Sequence, residues 1–549
     1  MMKNSLKNRL FHYAGTTVLI LLVSCSKFDA YLDKAESGGM TEEEVFGNYR
    51  QTERFLAQVY GTGLTIDWVG GNLWSFSYDG ATDNGYCHYR YWPSPKFVYD
   101  GNLTPANNPI DQWADLYAAI RRVNMFLEKI DGLPVSSSNT EEVAGKSRMK
   151  GEAFFLRAWF YAELFKRYGG VPLISKVLQV DEDLNIPRAT ADEIIGFIVE
   201  DCDRAASLLP EEYSSKDLGR ATAGAALALK SRMLLYAASP LHNPDNDRQK
   251  WERAAKAAQD VITMAIYQLH GSFKDVLHTR QSPEIIFQHT ANYEDQLRNN
   301  LMPSQGGFSI VQPTQELVDA FEMTDGKLYN ESDLYDPQQP YANRDPRLAM
   351  TVVYNLHPWR GFPIETFEGG LDGLNGSGDN YTRTGYYLAK TLDENGSLTP
   401  IWRPGSHFFV YIRYAEILLN YAEAKNESLE SPDPSVYDAI NQVRARTGVN
   451  MPPLPAGLSK ADMRARIHNE RRVELAFESH RFWDIRRWRI GEQVLKSVQG
   501  MRITRAGSEW NYERFPLENR YYKNTYDLFP IPQSEINRNS KLVQNPGYN

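Results

Sequence analysis

The chain has 549 residues, 42% hydrophobic and 23% charged, with a formal net charge of −9. It can bury one large core or several, and length alone favours about three domains, a prior that long helical arrays break. An acidic balance without a Lys/Arg run argues against nucleic acid as a partner, and aromatics at 12%, with 11 Trp and 32 Tyr, need an explanation.

Lys3, Lys7 and Arg9 open the chain, and Thr17 to Val23 form a short apolar run. A membrane helix needs roughly 20 apolar residues, so residues 1–24 read as a secretory signal, and no later segment spans a bilayer. The run ends in Leu22-Val23-Ser24-Cys25, which resembles a bacterial lipobox: the small residue admits the peptidase and the Cys25 thiol receives the lipid. Several acyl chains, at about 0.8 kcal/mol per buried methylene, make such an anchor effectively permanent. Without the first 24 residues, which carry three bases and no acid, the formal charge moves from −9 to −12. Cys87 and Cys202 are the only other cysteines. Two residues carry no disulfide framework, so free thiols are expected.

Thr41 and Glu44 have capping-box spacing and open a helix expected to run through Tyr60. Residues 61–110 then lose periodicity and become rich in Gly, Pro, Asn and aromatics, a loop-rich surface. From Asp111 a stripe of Trp113, Leu116, Tyr117, Ile120, Val123, Leu127 and Ile130 predicts an amphipathic helix. Within Lys150–Ile174, Ala153, Phe154, Phe160, Tyr161, Leu164 and Tyr168 recur at helical steps, with Gly169, Gly170 and Pro172 ending the run. Most of that helix's circumference is apolar or small, so it packs on more than one side, and Glu152, Arg157 and Glu163 read as structural charges. A second capping box, Thr190 and Glu193, precedes another helix. Further helices are expected at 223–239, 251–269, 413–427, 435–447, 460–477 and 482–496, while 270–410 reads as loops and short strands.

Similar pieces recur: Phe160-Tyr161-Ala162-Glu163, Leu234-Leu235-Tyr236-Ala237 and Asn420-Tyr421-Ala422-Glu423-Ala424. Repeated helix pairs with small-residue contacts predict a mainly α, tetratricopeptide-like scaffold, although no strict 34-residue period is legible. Its pairs lie within 111–269 and 412–496. Two irregular inserts, about 61–110 and 270–410, interrupt that scaffold.

Trp68 to Tyr99 holds ten aromatics in 32 residues, interleaved with Asp79, Asp83, Asn84, His88 and Arg90. Sugar rings have apolar C–H faces and hydroxyl rims, so a site for them needs flat rings and amide or carboxylate groups. Trp74, Tyr89 and Trp92 are the candidate stacking rings, with Asp83 and Asn84 as polar partners; the competing reading is that about half the rings anchor the segment to the scaffold. The second insert offers Tyr293, Tyr354, Trp359, Phe362 and Phe367, and Trp359 is the candidate beside the Gly-rich loop at 368–378. The mixed-charge run from Glu470 to Arg487 reads as ion pairing between helices rather than as a hydrolase's acid and base. Enzyme signatures fail: there is no His-Glu-x-x-His, and Gly145-Lys146-Ser147 lacks the earlier glycine of a phosphate loop, which is Thr140 here. Asp372, Asn375 and Asp379 lack EF-hand spacing. Neither cofactor nor metal is expected.

Several stretches together resemble the SusD/RagB family of surface nutrient-binding lipoproteins. They are the lipobox at Leu22–Cys25, Gly151-Glu152-Ala153 through Leu173, Gly219-Arg220-Ala221-Thr222 through Pro240, Phe321-Glu322-Met323 with Asp325-Gly326, Arg344-Asp345-Pro346-Arg347, Arg413 to Leu419, Glu470-Arg471-Arg472 through Trp488, and Leu528-Phe529-Pro530-Ile531-Pro532. They fall in family order across nearly the whole chain after Cys25. The resemblance implies one domain over 25–549, lipid-anchored at Cys25 on the outer membrane and exposed at the cell surface, with the two irregular, loop-rich inserts as its ligand-binding half. It implies a non-catalytic protein that captures oligosaccharides and delivers them, as a lid, to a SusC-like TonB-dependent transporter. A peptide-binding member of the family and a secreted glycan hydrolase are the alternatives. The family's motifs shape the scaffold and do not name the sugar.

Overall fold

Thr41 and Glu44 form the capping box that their spacing predicts, with Glu44 N donating to Thr41 Oγ1 at 3.2 Å and Thr41 N to Glu44 Oε2 at 2.7 Å. The helix they start is short, Glu42–Phe46. Asn48 turns extended and caps a new helix, α1 (Tyr49–Gly63), so the single helix expected through Tyr60 is two. These observations come from a computed structural model describing residues 40–64, 75–88, 95–290, 299–374, 376, 378, 380–394 and 408–548.

Helix α2 (Trp113–Lys129) buries Trp113, Leu116, Ile120 and Val123 of the predicted stripe. Helix α3 (Thr140–Tyr168) is capped by Asn139 and ends at Gly169, whose φ of 70° suits glycine and whose N–H reaches Phe165 O at 2.9 Å. From Met149 onward nearly every α3 side chain is buried. Each large apolar one contributes roughly 1.5–3 kcal/mol, so α3 is the spine of the fold. Its charges are paired. Arg157 grips Asp201 at 2.7 and 2.9 Å, Arg167 binds Glu163 at 2.6 Å, and Arg220 reaches Glu152 at 3.1 Å.

The array continues through α4 (Ala191–Leu208), α5 (Ala223–Ala238), α6 (Arg248–Thr263), α7 (Tyr414–Ser428), α8 (Pro434–Arg444), α9 (Lys460–Glu474) and α10 (His480–Arg487). Each helix from α2 to α7 packs against the next along the chain, and α7 meets both α8 and α9. That is the mainly nearest-neighbour packing of a helix-pair array, with α7 also touching α5. Buried Ala225, Ala226, Ala228 and Ala238 of α5 leave room for close approach, and one hydrophobic core runs through the whole array.

The other half is built from loops and short strands. Strand β1 (Gly85–Cys87) pairs antiparallel with β3 (Val311–Pro313), and β2 (Ile285–His289) with β4 (Phe409–Arg413). The chain then forms a long hairpin, β5 (Ser497–Ala506) and β6 (Glu509–Asn519), which no sequence expectation covered. The helix expected at 482–496 is instead α10 followed by a short turn at Gly491–Val494, because Arg489 adopts a positive φ of 58°. A second core joins Val311, Phe321, Tyr386, Phe477, Met501 and Ile503. Cys87 and Cys202 are buried and not disulfide-bonded. No helix among the described residues is long and apolar enough to cross a membrane.

Candidate functional site

Asp83 and Asn84 face inward. Asp83 is 3% exposed and accepts from Arg481 Nε and Nη2 at 2.9 and 2.8 Å, with Arg472 Nη2 at 3.0 Å. Asn84 accepts from Arg472 Nε at 2.7 Å and donates to Asp79 at 3.2 Å. Neither is available to a sugar; their role as hydroxyl partners is corrected to that of a clamp between α9, α10 and the first insert. Burial alone would raise the Asp83 carboxyl, but Arg472 and Arg481 outweigh it and hold it at about 2. At Asp79 burial outweighs the pull of Lys390 and lifts the carboxyl to about 6, against hydrogen bonds from Asn84 and the Ser479 N–H.

Three aromatics of the same segment are anchors. Tyr78 packs on Phe482 at 4.9 Å and takes a hydrogen bond from Arg167; Lys96 lies over Tyr86; Tyr99 donates to Glu518 at 2.9 Å beneath Arg520. Trp74, Tyr89 and Trp92 lie outside the described residues, as do Tyr293 and Cys25. What the structure does place are the residues beside them. Leu64 O accepts from Tyr411 Oη at 3.0 Å, and His289 pairs across strands with Phe409. Arg280 donates to Thr290 O and lies over Phe408. The described flanks of 65–74, 291–298 and 395–407 therefore gather at the β2–β4 pair. Beneath it, Trp159 of α3 meets Phe287 at 5.4 Å and Tyr411 at 5.1 Å. On the next strand pair, His88 N donates to Ile310 O and Ile310 N to Asn299 O, which brings the flank of 89–94 beside that of 291–298.

Trp359 is the second correction. It is 1% exposed, packed with Leu301, Met302, Val353, Ile364 and Leu392, and so is core rather than platform. The two-residue turn Arg360-Gly361, with φ of 52° and 82°, joins Pro358–Trp359 to Phe362–Pro363 and leaves Phe362 67% exposed instead. The signal was the turn itself: Trp-Arg-Gly-Phe is a tight hairpin whose larger ring fills the core. Tyr354 stacks on Tyr341 at 4.3 Å, and Phe367 meets Trp510 at 5.0 Å. Asp372 accepts from Ser304 N and Oγ at 2.9 and 2.6 Å, which explains it without an ion. Among the described residues, no group of three or more His, Cys, Asp or Glu side chains is placed to hold a metal.

Comparison with known proteins decides the family. A model described as the SusD family matches residues 283–548, and one described as starch-binding associating with outer membrane matches residues 31–235. The chain belongs to the SusD family. A solved SusD-like protein from Bacteroides fragilis is 29% identical, with a TM-score of 0.77 over 93% of this chain and 99% of that one. A second structure from that species, described as a SusD-like carbohydrate binding protein, is 27% identical at a TM-score of 0.76, covering 91% of this chain and 100% of that one. SusD-like protein P25 of Formosa agariphila is 23% identical across 80% of this chain and 79% of its own.

In this SusD-family chain three of the motifs that carried the resemblance, those at Arg347, Arg413 and Glu470 to Arg487, supply a buried ion network joining the two halves. Arg413 binds Glu284 and Glu474, both at 2.7 Å, and Arg446 binds the same two at 2.5 and 2.7 Å. Arg347 reaches Glu470 at 2.5 Å, Glu474 at 3.0 Å and its neighbour Asp345 at 2.8 Å. Arg487 takes Glu423 and Asp484, while Arg471 takes the other Asp484 oxygen. Every one of these acids has a cation in contact and sits in the interior, so the run from Glu470 to Arg487 is structural pairing.

Proposed function

We propose that this protein is a non-catalytic glycan-binding lipoprotein, anchored through Cys25 on the outer membrane and exposed at the cell surface. It captures oligosaccharides and passes them to a SusC-like TonB-dependent transporter, on which it sits as a lid with the helix array toward the channel. The observation that carries the reading is the close match in fold and sequence to a SusD-like protein described as carbohydrate binding.

Trp74, Tyr89 and Trp92 are the stacking rings in this reading, and exposed Phe362 replaces buried Trp359 as the ring of the second insert. Phe362 sits above a core that contains Leu301, Met302 and Leu392, close in sequence to 291–298 and 395–407. A flat ring against a sugar's C–H face buries modest apolar area, so losing one weakens binding by about 1–2 kcal/mol, roughly tenfold. Calorimetry on a panel of glycans and peptides tests this. Trp74→Ala and Trp92→Ala are expected to lower affinity for the glycan that binds, without turnover of it. Peptide binding in place of glycan binding, or full affinity after loss of Trp74, Tyr89 and Trp92 together, would refute the reading.

A further inference from the structure

A groove of about 570 Å³ opens between the loop leading into α5 and strand β2, well within the roughly 300–1,000 Å³ of small-ligand sites. Gln288 of β2 lines it and is 4% exposed. Its Nε2 donates to Arg280 O at 2.7 Å, yet its Oε1 is buried with no hydrogen-bond partner. Tyr213 lines the same groove, and its hydroxyl is likewise buried and unpartnered. Burial, with Glu152 beside it, raises the Tyr213 phenol, so it keeps its proton and remains a donor. Native interiors seldom leave such a donor and acceptor unused.

The rest of the lining narrows the ligand. Arg220 is held by Glu53, Glu152 and Asp217, and Arg280 by Thr290 O. Arg220 is thus already offset, and exposed Glu211 and Glu212 add negative charge, so the groove does not favour an anion. Leu218, Ile266, Tyr267 and Ile285 supply apolar surface. Gly219 makes the geometry possible: at φ +91°, a Cβ there would meet Thr290 Cγ2 at 2.9 Å. The loop can therefore approach β2 closely only with glycine at this position.

We propose that this groove is a second sugar site, taking one neutral hexose unit at a distance along the chain from the aromatic segment. Tyr213 Oη donates to one ring oxygen or hydroxyl, Gln288 Oε1 accepts from another, and the apolar wall covers a C–H face. The inference rests on the reading that this protein binds glycans, and it adds a position for one unit of them.

The test uses the chain from Cys25 onward with glucose, galactose and mannose, each followed by saturation-transfer NMR and by soaking into crystals. At least one hexose is expected in the groove on Tyr213 and Gln288, with affinity falling tenfold or more in both Tyr213→Phe and Gln288→Leu. Tyr213→Phe removes one oxygen and serves if the Gln288 variant fails to fold. Only water between Tyr213 and Gln288 with all three hexoses, or unchanged affinity in Tyr213→Phe, overturns the proposal. Polymer binding beside an empty groove would sink this site and keep the uptake reading. A hexose in the groove with no affinity for any polymer would do the reverse.

Discussion

At Asp83 burial and two guanidiniums compete, and the guanidiniums win. The carboxyl falls from 3.8 to about 2 because Arg472 and Arg481 outweigh the burial that raises it. A depressed folded-state pKa means stability that is present above the unfolded value near 4 and lost as pH falls toward 2. Asp79, raised to about 6 by burial, has the opposite sign: its contribution is full below about 4 and fades as pH rises through 6. Asp83→Ala would leave buried Arg481 and half-buried Arg472 without their acid, a loss expected to cost about 3–5 kcal/mol in urea unfolding at pH 7. A cost under about 1 kcal/mol would show the clamp to be dispensable. Composition could not distinguish this aspartate from a sugar-binding one. The distinction lies in Arg472 and Arg481, nearly four hundred residues away in sequence.

Helix α3 and the Trp359 hairpin show which elements could be read in the sequence. Capping residues and apolar stripes are local, so α2 and α4 formed where their spacing put them and Gly169 ended α3, but α3 starts ahead of the stretch read from Lys150, at Thr140 behind its Asn139 cap. Helix ends set by backbone strain were less visible, as at Arg489. The β5–β6 hairpin was missed although Gly507, at φ 66°, marks its turn between alternating residues. Within the candidate site the aromatic excess was legible, but not which rings go inward. Trp359→Ala empties a closed core and should cost about 3–5 kcal/mol, whereas Phe362→Ala at the exposed tip should change stability by less than about 0.5 kcal/mol. Thermal melts of the pair check this, and equal losses would contradict the hairpin's orientation. Trp159→Ala in α3, against Phe287 and Tyr411, belongs with the first class: it should destabilise by about 3–5 kcal/mol. A fully stable Trp159→Ala protein would remove α3 as the spine.

The two halves share charges rather than only surface, and that shapes how the whole molecule fails. Glu474 of α9 is met by Arg347 from the loop-rich half and by Arg413 and Arg446 at the start of α7 and the end of α8. Burial pushes Glu474 upward, yet Arg446, Arg413 and Arg347 outweigh it and hold the carboxyl far below the ordinary glutamate range. Glu423, opposed by burial but held by Arg487, and Glu478, held by Arg413 and Lys390, are depressed in the same way. Each contributes stability that is complete above the unfolded value near 4.3 and drains away as pH falls below it. Glu322, raised by burial, works in the other direction, but it lacks the three-cation grip of Glu474. Burial holds the His242 and His357 imidazoles at about 4, so their contribution to stability is lost as pH falls below about 6.5. Melting temperature should therefore begin to fall there and drop most steeply below about pH 4. Because one network spans both halves, tryptophan fluorescence and far-UV circular dichroism should report a single coincident transition. Glu474→Gln keeps the shape but removes the acid that three guanidiniums share, leaving Arg413 and Arg446 on Glu284 and Arg347 on Asp345 and Glu470. It should cost about 3–5 kcal/mol at pH 7 and shallow the acid slope. Two separated transitions in the unmodified protein, or a Glu474→Gln variant within about 1 kcal/mol of it, would mean that the halves hold themselves and the network only decorates their seam.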